Sequence, residues 1–418
     1  MKSPLIVKGN FICTPTADSY EVHGDSYLVC VDGGVEGIYP VIPDRFKGCR
    51  VHDYGNRLVI PGFVDLHLHA AQFLQCGMAM TNQLLSWLKD YTFELEREFD
   101  DRVFARKAYT LFAEKLVACG TLRACIFASS STTGTEELFE VLKGKGVAAY
   151  VGKVDMDTNA PDYIIETTRE TLRGTTYLIE KYKDEPRVKP IITPRFAPTS
   201  TPELLQGLGD LALKYDLPVQ SHLSENLDEI KWVKDLFKDA DNYSDVYYRN
   251  NLFGQTKTVM AHAVYLDDDE KFLIKKTNMM LAHCPDSNIN VRSGIMPVRS
   301  LLDMGIKIGL GSDIAGGHKI AMNETMVRAI QLSKIVNMMD ADLKPLSVSE
   351  AFYMGTKGGG SFFGKTGSFE KGFFFDALVI EDDPMIAGRY SLEDRLEKFI
   401  HVGDDRNICA RYVEGEKL

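Results

Sequence analysis

The sequence predicts an α/β protein: a (β/α)₈ TIM barrel carrying a small flanking β-sandwich domain formed by both chain termini. Three observations carry that prediction. The middle of the chain alternates apolar β-runs with helical patterns, and eight such runs can be counted. The two ends read as β-segments and resemble each other more than either resembles the middle. Five of the 9 histidines fall at or near the ends of the predicted middle strands, the end of a (β/α)₈ barrel at which active sites lie.

Residues 1–57 read as short β-segments, typified by 27–31, and are punctuated by Gly, Pro and Asp. No long helical period appears there. From Leu58 the texture changes. The eight runs are 59–67, 120–128, 148–155, 188–196, 218–224, 256–264, 279–284 and 306–312. Most are continuously apolar, as strands covered on both faces must be. Between them, 101–118 and 202–214 carry helical periodicity, and Pro202 stands where a first helical turn tolerates proline. A doubly wound open sheet gives the same alternation and is the alternative. After Phe369 the β texture returns, at 371–380 and 411–415. The expected organisation is therefore a barrel over 58–369 and a composite β domain from 1–57 and 370–418.

The 418 residues are 44% hydrophobic and 26% charged, an ordinary globular composition. A formal net charge of −11 repels phosphate backbones, so no nucleic-acid polymer is expected as a partner. The 8 cysteines form no Cys-x-x-Cys pair, and reduced, buried thiols in a cytoplasmic protein are expected. No run reaches the length of a membrane span, and the apolar run 5–7 is too short for a signal peptide.

His67 and His69 are two residues apart in a predicted strand, so their imidazoles point the same way. Both can reach one ion. A catalytic zinc usually takes three protein ligands plus water, and His222 and Asp313, from the fifth and eighth runs, can complete the set. Glu225 follows His222 by three positions, which a continuing strand would turn to the wrong side. The chain must therefore leave the strand there, placing Glu225 over the mouth, where a carboxylate can shuttle protons. A helix-start glutamate is the plainer alternative. His262, ending the sixth run, is a further ligand or a group that orients water. His283 is expected to support the ligands from behind. His23, His52 and His401 read as structural, and His318 as a solvated loop residue.

The stretch Pro61-Gly62-Phe63-Val64-Asp65-Leu66-His67-Leu68-His69, followed by His222, His262 and Asp313, resembles the amidohydrolase superfamily. Some of its members carry a carboxylated lysine at the end of the fourth strand. Here that place holds 191–195, and Lys189 is at the strand's other end, so the resemblance implies a single metal ion. Within the superfamily the chain is similar to guanine deaminases. The carrying motifs are His67-Leu68-His69-Ala70-Ala71-Gln72, Thr193-Pro194-Arg195-Phe196, Ser221-His222-Leu223-Ser224-Glu225-Asn226, Met260-Ala261-His262, Ala282-His283-Cys284-Pro285 and 310–317, with 84–93. Asp286, often Asn in those enzymes, and 197–201 depart from the pattern, and the second could reshape the pocket edge.

The resemblance implies His67, His69, His222 and Asp313 as metal ligands, and Gln72, Arg195 and Phe196 as purine contacts, with Trp87 in the pocket wall. It implies one Zn²⁺ per chain, Fe²⁺ suiting the same donors, guanine as substrate and a homodimer. The implied reaction is hydrolysis of guanine to xanthine and ammonia in purine catabolism or salvage. Glu225 would protonate the ring and the leaving amine, Asp313 would take a proton from water, and His262 would steady negative charge. The rivals are a deaminase of another heterocycle and a non-catalytic binding protein on the same scaffold.

Overall fold

Two four-stranded sheets carry the alternation of the middle of the chain in this computed structural model, which describes residues 4–418. The strands before them are β1 (Leu5–Thr16), β2 (Ser19–Val31), β3 (Gly34–Tyr39) and β4 (Arg50–Pro61). The first four-stranded sheet has the order β5 (Phe63–His69), β6 (Thr121–Phe127), β7 (Ala148–Gly152), β8 (Val188–Pro190). The second joins β9 (Val219–Leu223), β10 (Thr258–His262), β11 (Met280–His283) and β12 (Lys307–Leu310), all parallel. Backbone bonds extend beyond both sheets. Ile192 N–H donates to Pro218 O at 2.9 Å and Gln220 N–H to Ile192 O at 2.9 Å, while Asp313 N–H donates to His67 O at 2.8 Å and His69 N–H to Ile314 O at 2.9 Å.

Three expected strands change on inspection. The run 59–67 divides at Gly62: β4 ends at Pro61 in a different sheet and β5 begins at Phe63. A Cβ on Gly62 would lie 2.4 Å from Leu122 Cδ1, so only glycine lets the chain pass here. The run 188–196 forms a ladder over three residues only, because Pro190 and Pro194 have no N–H to donate. The eighth strand stops at Leu310, three residues before Asp313. The helices Arg102–Ala118 and Pro202–Tyr215 lie where the periodicity places them, and Thr201 Oγ1 caps the second by accepting from Leu204 N–H.

The chain divides into two compact units, one of Met1–Asp65, Lys115–Arg123 and Ala321–Leu418, the other of Leu66–Glu114 and Ala124–Ile320. In the first, strands from both chain ends share one seven-stranded sheet, completed by β13 (Ala377–Ile380), β14 (Ile408–Val413) and β15 (Glu416–Lys417). Its order is β15-β14-β13-β4-β1-β2-β3. β1 and β2 run for 12 and 13 residues, longer than the short segments expected. Val7, Phe11, Leu28, Val59, Phe375, Val379 and Tyr412 form its core.

Candidate active site

All the predicted site residues lie in the second unit, at or just past strand ends except Trp87, which ends the short helix Leu84–Trp87. His67 and His69 occupy alternate positions of β5 and are both buried. Their rings meet edge to face with centroids 5.0 Å apart. Asp313 Oδ1 lies 3.3 Å from His67 Nε2 and 3.5 Å from His69 Nε2. His222 Nε2 lies 3.1 Å from His69 Nε2, and its Nδ1 is 2.5 Å from Arg195 O. With Nδ1 donating to that carbonyl, Nε2 carries the lone pair. Gly311 makes room for the cluster, since a Cβ there would stand 2.9 Å from both Cys284 Sγ and His67 Cβ.

The backbone is forced at these positions. Ser224, His262, Ala263 and Asp313 have φ of 46, 73, 47 and 46°, the left-handed region that non-glycine residues rarely enter. At Ser224 this turns the chain out of β9, as the offset of Glu225 from His222 requires. Ser224 O is then anchored by the N–H groups of Val264 and Tyr265, each at 3.1 Å.

The electrostatics suit a cation. Burial drives the pKa of His69 and His222 well below that of a free imidazole, and that of His67 below it too, so all three are neutral donors of lone pairs. Burial would raise the Asp313 pKa, but the pull of any proton on His67, His262 or His69 outweighs it, so the carboxyl gives up its proton before these rings do. One candidate ligand atom from each of His67, His69 and His222 lies within 4.8 Å of the others. The same holds for a group of His67, His262, Cys284 and Asp313, which adds a buried thiol that sequence reasoning missed. Three neutral imidazoles and a carboxylate are the donor set that a divalent zinc or iron takes.

Glu225 is 3% exposed. Burial raises its carboxyl pKa. Its Oε1 accepts from Ser293 Oγ at 2.7 Å and its Oε2 lies 3.4 Å from His262 Nε2. His262 Nδ1 faces Asn288 Oδ1 at 2.8 Å, which fixes the ring and aims Nε2 at Glu225 and, at 3.8 Å, Asp313 Oδ2. Burial would lower the His262 pKa, but Glu225 and Asp313 together raise it. Beneath Glu225, Glu229 Oε2 accepts from the backbone N–H of Glu225 (2.9 Å) and Asn226 (3.2 Å), and its Oε1 accepts from Tyr243 OH (2.7 Å). The Asn226–Glu229 capping box is legible as Asn-x-x-Glu. Asn288 and Ser293 carry no comparable signal.

His69, His222, Glu225, His262 and Asp313 line one pocket together with Gln72, Leu84, Trp87, Leu88, Arg195 and Phe196. Arg195 is buried and makes a two-pronged ion pair with Glu96, Nη1 to Oε2 at 2.6 Å and Nη2 to Oε1 at 3.2 Å. Gln72 Nε2 donates to the same Glu96 Oε1 at 2.9 Å. Glu96 itself is absent from the sequence reading. Phe196 lies edge-on to Trp232 at 6.0 Å, and Trp87 Nε1 points to Met78 O at 3.4 Å. His283 is buried, but neither of its ring nitrogens finds a hydrogen-bond partner among the described residues, and burial lowers its pKa to about 3. It makes no hydrogen bond to the ligand set.

The amidohydrolase family profile matches residues 58–418. The chain belongs to the amidohydrolase family. It is 37% identical over 413 residues to a guanine deaminase of Dictyostelium discoideum, covering 96% of this chain and 89% of that protein. It is 38% identical over 440 residues to the guanine deaminase of Mus musculus, covering 99% and 96%. The crystal structure of the guanine deaminase from C. acetobutylicum, with guanine bound in its active site, superposes with a TM-score of 0.98 at 48% identity, covering 99% of this chain and all of that one. The likeness to guanine deaminases legible in the motifs is thus borne out over the full chain. Among the described residues no helix is long and apolar enough to cross a membrane, and none of the 8 cysteines forms a disulfide.

Proposed function

We propose that this protein hydrolyses guanine to xanthine and ammonia. The observation that carries the reading is the full-length likeness to a structure holding guanine, in a chain whose own pocket puts Arg195 and Gln72 on one wall and His69, His222 and Asp313 at its floor, with His67 packed against these three. A C2–O bond forms from water and the C2–N bond breaks; one of water's protons ends on the departing ammonia and the other on the ring nitrogen beside the new carbonyl of xanthine.

His67, His69, His222 and Asp313 would hold a divalent cation, which would supply an activated water at neutral pH. The remaining work falls to the chain. Glu225, with its raised pKa, brings a proton to a ring nitrogen and later to the leaving amine. Asp313 takes a proton from water. His262, held by Asn288 and facing both carboxylates, steadies negative charge on the attacking oxygen. Arg195 donates to the O6 carbonyl, Gln72 pairs with the ring edge, and Phe196 and Trp87 offer apolar faces to the ring. His283 supports the ligands by packing alone.

One zinc ion per chain is the expected content, and elemental analysis separates it from iron. The two four-stranded sheets close as one (β/α)₈ barrel, supported by backbone bonds at both seams. The terminal sheet wraps as a β-sandwich, supported by the shared core of Leu28 and Tyr412, whose strands have three others between them in the sheet order. The composite domain is 1–57 with 370–418, although β4 runs on to Pro61. A cytoplasmic homodimer completes the proposal. The decisive test is spectrophotometric: purified protein should consume guanine with release of ammonia and hold about one divalent ion per chain. Metal without guanine turnover would favour another heterocycle, and neither would favour a binding protein.

A further inference from the structure

Glu96 stands behind the pocket wall and touches both polar residues that would contact the purine. Its carboxylate is 1% exposed, lies 24 positions from Gln72 and 99 from Arg195, and binds both. The helix Phe93–Arg97 that carries it also presents Phe93, whose ring lies 5.1 Å beneath the Arg195 guanidinium. Arg195 is therefore held on two sides by one turn of helix.

The consequence lies in hydrogen-bond polarity. A carboxylate only accepts. The Gln72 atom facing Glu96 must then be the amide nitrogen, which leaves Oε1, an acceptor, for the pocket. Arg195 can only donate, and two of its five N–H groups suffice for Glu96. The wall thus offers donors from Arg195 and an acceptor from Gln72, with neither able to reverse. A free glutamine would adapt to either polarity by turning its amide.

We propose that Glu96 is a positioning residue that sets substrate specificity, locking the wall into the donor-and-acceptor pattern that a ring carbonyl beside a ring N–H completes. The inference rests on the guanine reading and deepens it: the favoured class is a lactam heterocycle, and an amidine edge, with amine and bare ring nitrogen, is refused. A buried polar site built for one pattern rejects the other because its groups are left unpaired.

The test uses the metal-loaded full chain with guanine and 2,6-diaminopurine. Both carry the 2-amine that is lost, but the second has an amine in place of the O6 carbonyl. The unaltered protein should prefer guanine by at least ~10²-fold in kcat/KM. Glu96→Gln, whose amide can donate or accept, should cut that preference at least ~10-fold. The loss should appear chiefly as a raised KM for guanine, with metal content unchanged, and Glu96→Asp should restore part of it. A melting curve shows whether the Gln variant folds. If it does not, Gln72→Met, which keeps the Glu96–Arg195 pair, should narrow the preference by a similar factor. A preference unchanged in the folded Gln variant, or in Gln72→Met where that stands in, overturns the role of Glu96 while guanine turnover keeps the parent reading. No guanine turnover in the unaltered protein overturns the parent reading itself.

Discussion

The floor of the pocket and its wall are built by different means. At the floor, His67, His69, His222 and His262 sit on strands, and backbone bonds set their spacing, as with Asp313 N–H on His67 O. In the wall, Gln72 and Arg195 are brought together by a third side chain, Glu96, across long stretches of sequence. A floor fixed by strand register tolerates no missing ligand but needs little outside support. A wall fixed by a buried ion pair depends on every member, because removing one partner leaves a buried charge uncompensated.

The floor should show the largest effect. His67→Ala or His69→Ala should lose both the metal and all measurable turnover, read by elemental analysis and guanine consumption. Full activity in a demetallated sample would break the idea that the floor is a metal site. Next comes the rim. Glu225→Gln should keep the metal and the purine site but lose at least ~10²-fold in kcat, since an amide cannot shuttle protons. A nearly unchanged kcat would reduce Glu225 to a loop carboxylate.

Arg195→Met sharpens the contrast with the wall. Metal content should hold, while guanine kcat/KM falls by ~10²-fold and its advantage over adenine narrows. The variant should also lose about 3 kcal/mol of stability, the size of breaking a buried ion pair from one side. Unchanged guanine kinetics with reduced stability would mean that Arg195 serves only Glu96, as buried arginines in a protein wall often do.

The same contrast explains what the sequence revealed. The ligands were legible because a strand's period of two makes His67 and His69 neighbours, and because parallel strands end at one face. The turn at Ser224 followed from the offset between His222 and Glu225. Glu96, Asn288 and Ser293 were not legible, since their partners lie 99, 26 and 68 positions away and no local period marks them. Arg195 was legible only through the family motif, and its ion pair with Glu96 not at all. Strand limits failed where a run crossed from one sheet to another at Gly62, because apolar texture is the same on both sides of such a joint.

Glu229 offers the smallest and most conditional test, at the support beneath the rim. Three donors favour its charged form, the N–H groups of Glu225 and Asn226 and the hydroxyl of Tyr243. Burial, with the nearby Glu225 carboxyl, outweighs them and raises its pKa from 4.5 to about 7. A carboxyl with a higher pKa in the folded state binds its proton more tightly there than in the unfolded chain. Its stabilising contribution is therefore complete below about pH 4.5 and is lost as pH rises through about 7. Glu229→Gln keeps a carbonyl for the two N–H groups and removes the titration. The stability of the unaltered protein relative to this variant should fall by up to about 3 kcal/mol across that window and level off above it. Melting or denaturant curves of the pair at matched pH measure the difference directly, and a difference flat from pH 5 to 8 would mean that Glu229 stays ionised and holds the rim as an anion.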